Sequence, residues 1–524
     1  MKNSFFLVTP EQQQKPELLV SYGKVAIDQW LSEFPSANHS LSTRLFFDFI
    51  DGLNAVEMPS EQRLEVLELL RPHFLTIEDY LRSRLIKAGF PKGEDEQKIL
   101  TLLVLLEKKY TIGYWIIARE LTHRDVSWFK GRNATLAVQR TMKGLSEIVV
   151  TNYMMFLPVP DWVWIDLHSL YKLAVKIKKV STKVSDETSL TGQVTTIENC
   201  YKQVLLLSLA DPSGLMQKEV RQVFHFSGQI AQYVQIENKT ISNQNSQCMI
   251  LMDEDTKPIF DSIGEEIDSS IMYLNLKELY KELGHPDKYC SEKEARFSSM
   301  QLLVKKTNKL PLALFEYVAD CWKGIELKGS TFFADRLDRY IALGLDAAHA
   351  LQSPLETDEN LEILAKSFSD RSLSCQFEKE GLISIGSLVS LRKKNEQGGN
   401  RCLSIVKKIT MPKQDTHIVF ELATITPHFF AVTYKNINAE SDSEHFKGLL
   451  YGVKTDTGEK SFIIIDSFMH KDGDVMRMFV NDKNFPIILG DRKNIGLGYW
   501  QFECRQLEEK QTPQQTNTKG YDFI

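Results

Sequence analysis

The chain has 524 residues, 43% of them hydrophobic and 25% charged, a globular balance that excludes a disordered chain, a collagen-like rod or a coiled coil as its main body. Its length leaves room for about three to four domains, and a chain of this size buries full cores without covalent staples. The 63 basic and 69 acidic residues give a net charge of −6, which excludes nucleic-acid binding through overall basicity and requires any anion site to be a local patch.

From the N-terminus, Met1–Pro10 lacks a basic region followed by an apolar core of signal-peptide length. Residues 1–235 read as an all-helical region. Over Ser60–Ile86, apolar residues at 64, 67, 70, 74, 77, 81 and 85 recur in steps of three and four, one stripe on one helix face. Ser60 reads as the N-cap, and Pro72 as a kink or division. Further helices are expected over Glu96–Glu120, Thr135–Phe156, Trp162–Lys178, Ile197–Ala210 and Gln217–Tyr233, with Val180–Thr196 as a loop. No stretch approaches the ~18 consecutive apolar residues of a spanning helix. The expectation is a soluble, cytoplasmic protein that does not span a membrane.

Residues 236–328 read as a mixed α/β connecting region. Met249–Met252 suits a short strand, and Leu274–Leu283, Ser291–Lys305 and Leu312–Trp322 suit helices. From about residue 330 the hydrophobic period changes to two. Strands are expected over Leu388–Leu391, Leu403–Val406, His417–Leu422, Phe429–Tyr434, Leu449–Val453, Phe462–Asp466, Val475–Val480, Pro486–Leu489 and Tyr499–Glu503. Turn signals such as Asp472-Gly473 separate several of them. Many short strands with hairpin turns point to small antiparallel β-barrels. Residues 329–436 read as one barrel. Residues 437–508 read as a β-rich extension or a second small barrel, and 509–524 as a loose Gln/Thr-rich tail. The fold class expected is thus α+β and multidomain, helices first and barrels last.

Catalytic signatures fail on inspection. Gly324–Ser330 has phosphate-loop glycine spacing but no lysine to reach a phosphate. His123-Arg124-Asp125 resembles a kinase triplet, but Lys130 stands where the metal-binding asparagine belongs. GxSxG and HExxH are absent, and no enzyme activity is expected. The seven cysteines form no CxxC pair, so neither a disulfide scaffold nor a zinc ribbon is expected, and reduced thiols suit the cytoplasm. Neither a metal site nor a cofactor is expected. Trp164, His168 and Tyr171 share one helix face and read as a packed aromatic face around a hydrogen-bonded histidine.

The remaining constellation sits at the entrance to the β region: Arg336-Leu-Asp-Arg339, and further on Asp370-Arg371-Ser372-Leu-Ser374-Cys375. An arginine fork suits phosphate oxygens and the O6/N7 edge of guanine. Asp370 and Ser372, at alternate positions, suit guanine donors. Residues 392–408 add Arg392, Lys393, Lys394, Arg401, Lys407 and Lys408 against Glu396 alone, a local excess of positive charge. It suits an anion or, as a solvated hairpin, resists edge pairing.

These motifs resemble the PilZ domain, a small bacterial β-barrel that binds cyclic di-GMP through RxxxR and [D/N]xSxxG motifs. Here the first reads RxxR, and Cys375 stands where the glycine allows close approach. Leu382–Val389 and Leu403–Val406 resemble the barrel strands that follow. The helical half resembles that of long PilZ-containing proteins of gram-negative bacteria, over Arg63–Pro72, Trp164–Tyr171 and Tyr201–Pro212. The resemblance implies a receptor in which Arg336, Arg339, Asp370, Arg371, Ser372 and Cys375 line a cyclic di-GMP site. The helical half would engage a protein partner, in surface attachment, pilus behaviour or motility. The alternative is an adaptor whose degenerate barrel does not bind nucleotide.

Overall fold

The structure, a computed structural model, describes residues 5–123, 131–186, 194–238, 247–260, 270–291, 309–331, 333–352, 361–396, 400–413, 417–437, 445–456, 458–467, 469–481 and 483–507. The chain divides into two compact units. One comprises Met1–Arg336, Lys366–Ile385 and Val406–Leu422; the other comprises Leu337–Ala365, Gly386–Ile405 and Ala423–Ile524.

The first unit opens with helices α1 (Pro16–Ser21), α2 (Lys24–Ser32), α3 (His39–Ala55), α4 (Ser60–Leu85), α5 (Glu94–Thr122), α6 (Gly131–Met154) and α7 (Val163–Lys176). A short antiparallel pair, β1 (Val184–Ser185) and β2 (Val194–Thr195), precedes α8 (Ile197–Leu209) and α9 (Gln217–Ile230). The expected stripe of α4 is buried along its whole length, from Leu64 to Leu85; each such side chain contributes roughly 1.5–3 kcal/mol. Pro72 neither divides nor ends the helix, because the stripe on both sides of it packs into one core and outweighs the lost hydrogen bond. Ser60 is the first helical residue and Pro59 occupies the cap position; the Ser60 hydroxyl instead donates to Glu120. Helix α8 is buried from Cys200 to Leu209; its buried polar side chains are partnered, Lys202 with Glu198 at 2.7 Å and Gln203 donating to the Phe224 carbonyl at 2.8 Å, as burial requires.

Strands β3 (Gln235–Glu237), β4 (Gln247–Leu251) and β5 (Ile271–Asn275) form a sheet in the order β3-β5-β4. Leu274 pairs with Ile236 and Cys248, so the segment read as one helix from Leu274 is a strand end followed by α10 (Lys277–Leu283). Then come α11 (Pro286–Tyr289), the parallel pair β6 (Cys290–Ser291) and β7 (Leu310–Pro311), and α12 (Leu312–Trp322). Most of Ser291–Lys305 lies outside the described residues. One core runs from Leu7 to Trp322. The Trp322 indole, fully buried, donates to the Leu206 carbonyl at 2.8 Å and ties α12 to α8.

Two closed antiparallel barrels follow. The first is built from β8 (Arg339–Leu343), β9 (Ile363–Ser367), β10 (Ser372–Cys375), β11 (Leu388–Lys393), β12 (Cys402–Thr410) and β13 (Ile418–Thr426), in the order β10-β13-β12-β11-β8-β9. Helix α13 (Gly344–Ala350) follows β8 and packs Leu345 and Ala348 beside Leu388, Leu403, Leu449 and Ile464. The second barrel contains β14 (Phe430–Asn436), β15 (Phe446–Thr455), β16 (Gly458–Ile465), β17 (Val475–Val480), β18 (Lys483–Gly496) and β19 (Tyr499–Gln506), in the order β14-β15-β16-β19-β18-β17. Its inward residues alternate as a half-buried strand requires: Met476 and Met478, Ile487 and Leu489, Phe502 and Cys504 meet in one cluster. The strands expected from Leu388 onward fall on β11 to β19.

Candidate functional site

In the first unit, two short segments meet beside the β9–β10 turn. The Phe333 amide donates to the Asp370 carbonyl at 2.9 Å, and the Arg336 amide closes a turn onto Phe333. Phe333 is fully buried and anchors this turn. Arg336 is exposed and sits at φ 57°, a left-handed conformation uncommon for a residue with a β-carbon. From the other side, the Arg371 guanidinium donates to the Gly329 carbonyl at 2.8 Å. Gly329 and Ser330 are held by β13: their amides donate to the Glu421 carboxylate and the Leu422 carbonyl. Arg336, Asp370 and Arg371 thus belong to segments that are hydrogen-bonded to one another. The Asp370 carboxylate is 55% exposed and lies 3.7 Å from the Arg371 Nε.

Ser372 is differently employed. Its hydroxyl is 2.6 Å from that of Ser369, whose oxygen also accepts the amides of Arg371 and Ser372. Ser372 is buried and fixes the turn that presents Asp370 and Arg371. Cys375 ends β10 opposite Ile418, buried, and burial pushes its thiol up to about 11. Its φ is not positive, so the backbone here makes no demand that only glycine meets.

Arg339 lies in the second unit. It opens β8 opposite Ala365 and Lys393, is only 3% exposed, and folds back to donate to the Leu337 carbonyl at 2.6 Å. The basic hairpin read from the sequence is largely paired. In the same unit Arg392 holds Glu362 through two hydrogen bonds, the Nε one at 2.8 Å, while stacking over the Tyr340 ring. Arg401, fully buried, reaches the same carboxylate and donates to both the hydroxyl and the carbonyl of Ser390. Burial alone would raise the Glu362 carboxyl; the two arginines outweigh it and hold it below the usual range. Lys408, in the first unit, pairs with Asp211 at 2.6 Å. Glu362 stood out by no motif; only its distant arginine partners give it a role.

The aromatic face of α7 is as expected. His168 is fully buried near Trp164, its ring nitrogens 2.6 Å from the Tyr201 hydroxyl and 2.9 Å from the Thr256 carbonyl. Burial pushes its pKa down to about 4, so the ring is neutral and structural. Among the described residues, no group of His, Cys, Asp and Glu could hold a metal ion. Among them also, no helix is long and apolar enough to cross a membrane.

Residues 25–240 match a family model described as the N-terminal domain of the cyclic-di-GMP receptor FimW. A curated relative, described as cyclic-di-GMP receptor FimW of Pseudomonas aeruginosa, is 26% identical over 215 residues, 41% of this chain. That match spans 35% of the relative's length. No solved structure matches. Over α2 to α9 the chain is similar to the N-terminal domain of a cyclic-di-GMP receptor, which bears out the resemblance read from its helical segments.

Proposed function

We propose that the chain is a cyclic di-GMP receptor, without catalytic activity, that passes occupancy to a protein partner through its helical half. The observation that carries this reading is the match of residues 25–240 to the N-terminal domain of a protein described as such a receptor. The nucleotide face would be Arg336, Asp370 and Arg371 on the first barrel, with Ser372 holding the turn. Arg336 and Arg371 supply planar donors for phosphate oxygens or the guanine O6/N7 edge, and Asp370 accepts from guanine N–H groups. In this division of labour, residues 1–235 form the interaction module, 236–328 the connection, β8 to β13 the nucleotide barrel and β14 to β19 a further β-barrel that takes in Phe430–Asn436, in a cytoplasmic protein. Surface attachment, pilus behaviour and motility are the processes such a relay would serve. The ligand shifts the receptor only by as much as it prefers one state over the other.

A second reading, an adaptor without nucleotide, is favoured by Arg339, whose guanidinium is buried and turned back on its own backbone. Equilibrium dialysis against labelled cyclic di-GMP separates the two. A hydrogen bond to a charged group is worth about 1.5–3 kcal/mol, so Arg371→Ala should weaken binding by roughly ten- to a hundred-fold. Equal retention of label by wild type and Arg371→Ala would contradict this assignment.

A further inference from the structure

The turn from β9 to β10 opens with Phe368, whose ring is 60% exposed and stands two and three residues before Asp370 and Arg371. Alternation along β9 puts Lys366 on the same outward face, and Lys366 is exposed as well. The backbone of the turn is fixed. The Phe368 and Ser369 amides donate to the Ser372 carbonyl at 3.0 and 3.2 Å. The Ser369 hydroxyl oxygen accepts the amides of Arg371 and Ser372 at 3.1 and 3.0 Å. The Phe333 amide holds the Asp370 carbonyl, and the Gly329 carbonyl holds the Arg371 guanidinium. Glu326, a further carboxylate near Arg371, is taken by Lys328 at 2.5 Å. One ordered turn thus carries an aromatic ring, a carboxylate and a guanidinium, with an ammonium on the strand that leads into it.

A single exposed phenylalanine is ordinary on a protein surface. One held on a fixed turn, next to groups that match the edge of a base, has a specific use, because every base has a π-face that stacks on an aromatic ring. Resting on the receptor reading above, we propose that Phe368 is the stacking platform for a guanine of cyclic di-GMP, which makes the turn Phe368–Arg371 the base subsite. The base lies on the ring. Its N1–H and N2–H groups donate to the Asp370 carboxylate, and its O6 and N7 accept from Arg371. Lys366, on the outward face of β9, meets the anionic side of the nucleotide. Stacking supplies affinity that does not depend on which base is present; Asp370 and Arg371 supply the choice. Adenine has the same π-face but no N1–H for Asp370, and its N6 amino group meets Arg371 donor to donor.

The test is equilibrium dialysis of the full chain against labelled cyclic di-GMP and cyclic di-AMP, for wild type, Phe368→Ala, Phe368→Leu and Phe368→Trp. Phe368→Ala should weaken cyclic di-GMP binding roughly five- to a hundred-fold, the range of one lost base–aromatic stack. Phe368→Leu keeps an apolar side chain without a ring and should lose binding as Phe368→Ala does. Phe368→Trp should retain binding, and its added indole fluorescence, taken as the difference from wild type, should be quenched by the nucleotide. Since the ring is exposed, all three variants should melt at the wild-type temperature; if Phe368→Ala does not, the comparison of Leu with Trp carries the test. With wild type binding cyclic di-GMP, unchanged affinity in Phe368→Ala or Phe368→Leu would overturn the stacking role alone. Equal wild-type affinity for cyclic di-AMP would overturn the guanine subsite. No binding by wild type would overturn the receptor reading and the subsite together.

Discussion

His168 shows how a single buried group ties stability to pH. The ring is neutral in the folded protein because burial lowers its pKa from the ordinary 6.5 to about 4. Below pH 6.5 the unfolded chain takes a proton that the folded chain refuses, so stability falls as pH drops from 6.5 toward 4. The slope approaches ~1.4 kcal/mol per pH unit for one proton. Replacing His168 with Gln removes that linkage. The stability gap between wild type and His168→Gln, measured by urea unfolding, should therefore narrow by roughly 2 kcal/mol between pH 7 and pH 5; parallel curves would contradict it. This histidine was legible in the sequence because Trp164, His168 and Tyr171 recur at helical spacing, and spacing on one helix is local information. Arg339 was not legible. Its side-chain direction follows from pairing β8 with β9 and β11, partners far along the chain, and the RxxR spacing carries none of that. Ser372 carried the right motif position but is occupied by Ser369, a contact within the turn that residue type alone does not reveal.

The helices of the N-terminal half owe their stability to packed stripes, and α4 carries an ionic hub on the same face. Arg82 is 3% exposed and shared by carboxylates from α4, α5 and α6. Burial alone would raise Glu147, but Arg82, Arg221 and Lys143 hold it down to about 2. Removing one partner of a buried ion pair costs about 3–5 kcal/mol, because the charge left behind is uncompensated. Arg82→Met should lose that much stability at pH 8, measured by urea unfolding. At pH 5 the loss should be smaller, since the stranded carboxyl groups then take up protons; a loss independent of pH would contradict this account. From the sequence, Glu78 and Arg82 were visible only as a spacing that surface helices also use. Their burial comes from α5 and α6, and no pattern within α4 announces it. The apolar stripe of α4, by contrast, was legible residue by residue. The short strands β8, β9 and β10 were not, because four or five residues are too few to establish a period.

At the scale of the whole molecule, the switch from a helical period to a period of two was legible and places the barrels after the helices. Closure was not. Alternation identifies a strand without saying which strand it joins, and the sequence left open whether residues 437–508 complete the first barrel. The structure joins β14 to both β15 and β17, and β16 to β19, closing a second barrel. The reach of the helical core was also hidden: Cys248, Leu274 and Trp322, beyond the long helices, are buried in the same cluster as Leu67 and Leu205. The proposed function rests on both halves, a helical region similar to that of a cyclic-di-GMP receptor and the segments carrying Arg336, Asp370 and Arg371. The most direct measurement is calorimetric titration of the wild-type chain with cyclic di-GMP, with GMP as the control. The account predicts saturable heat at micromolar cyclic di-GMP and none with GMP; the absence of heat with cyclic di-GMP up to high micromolar concentration would contradict it.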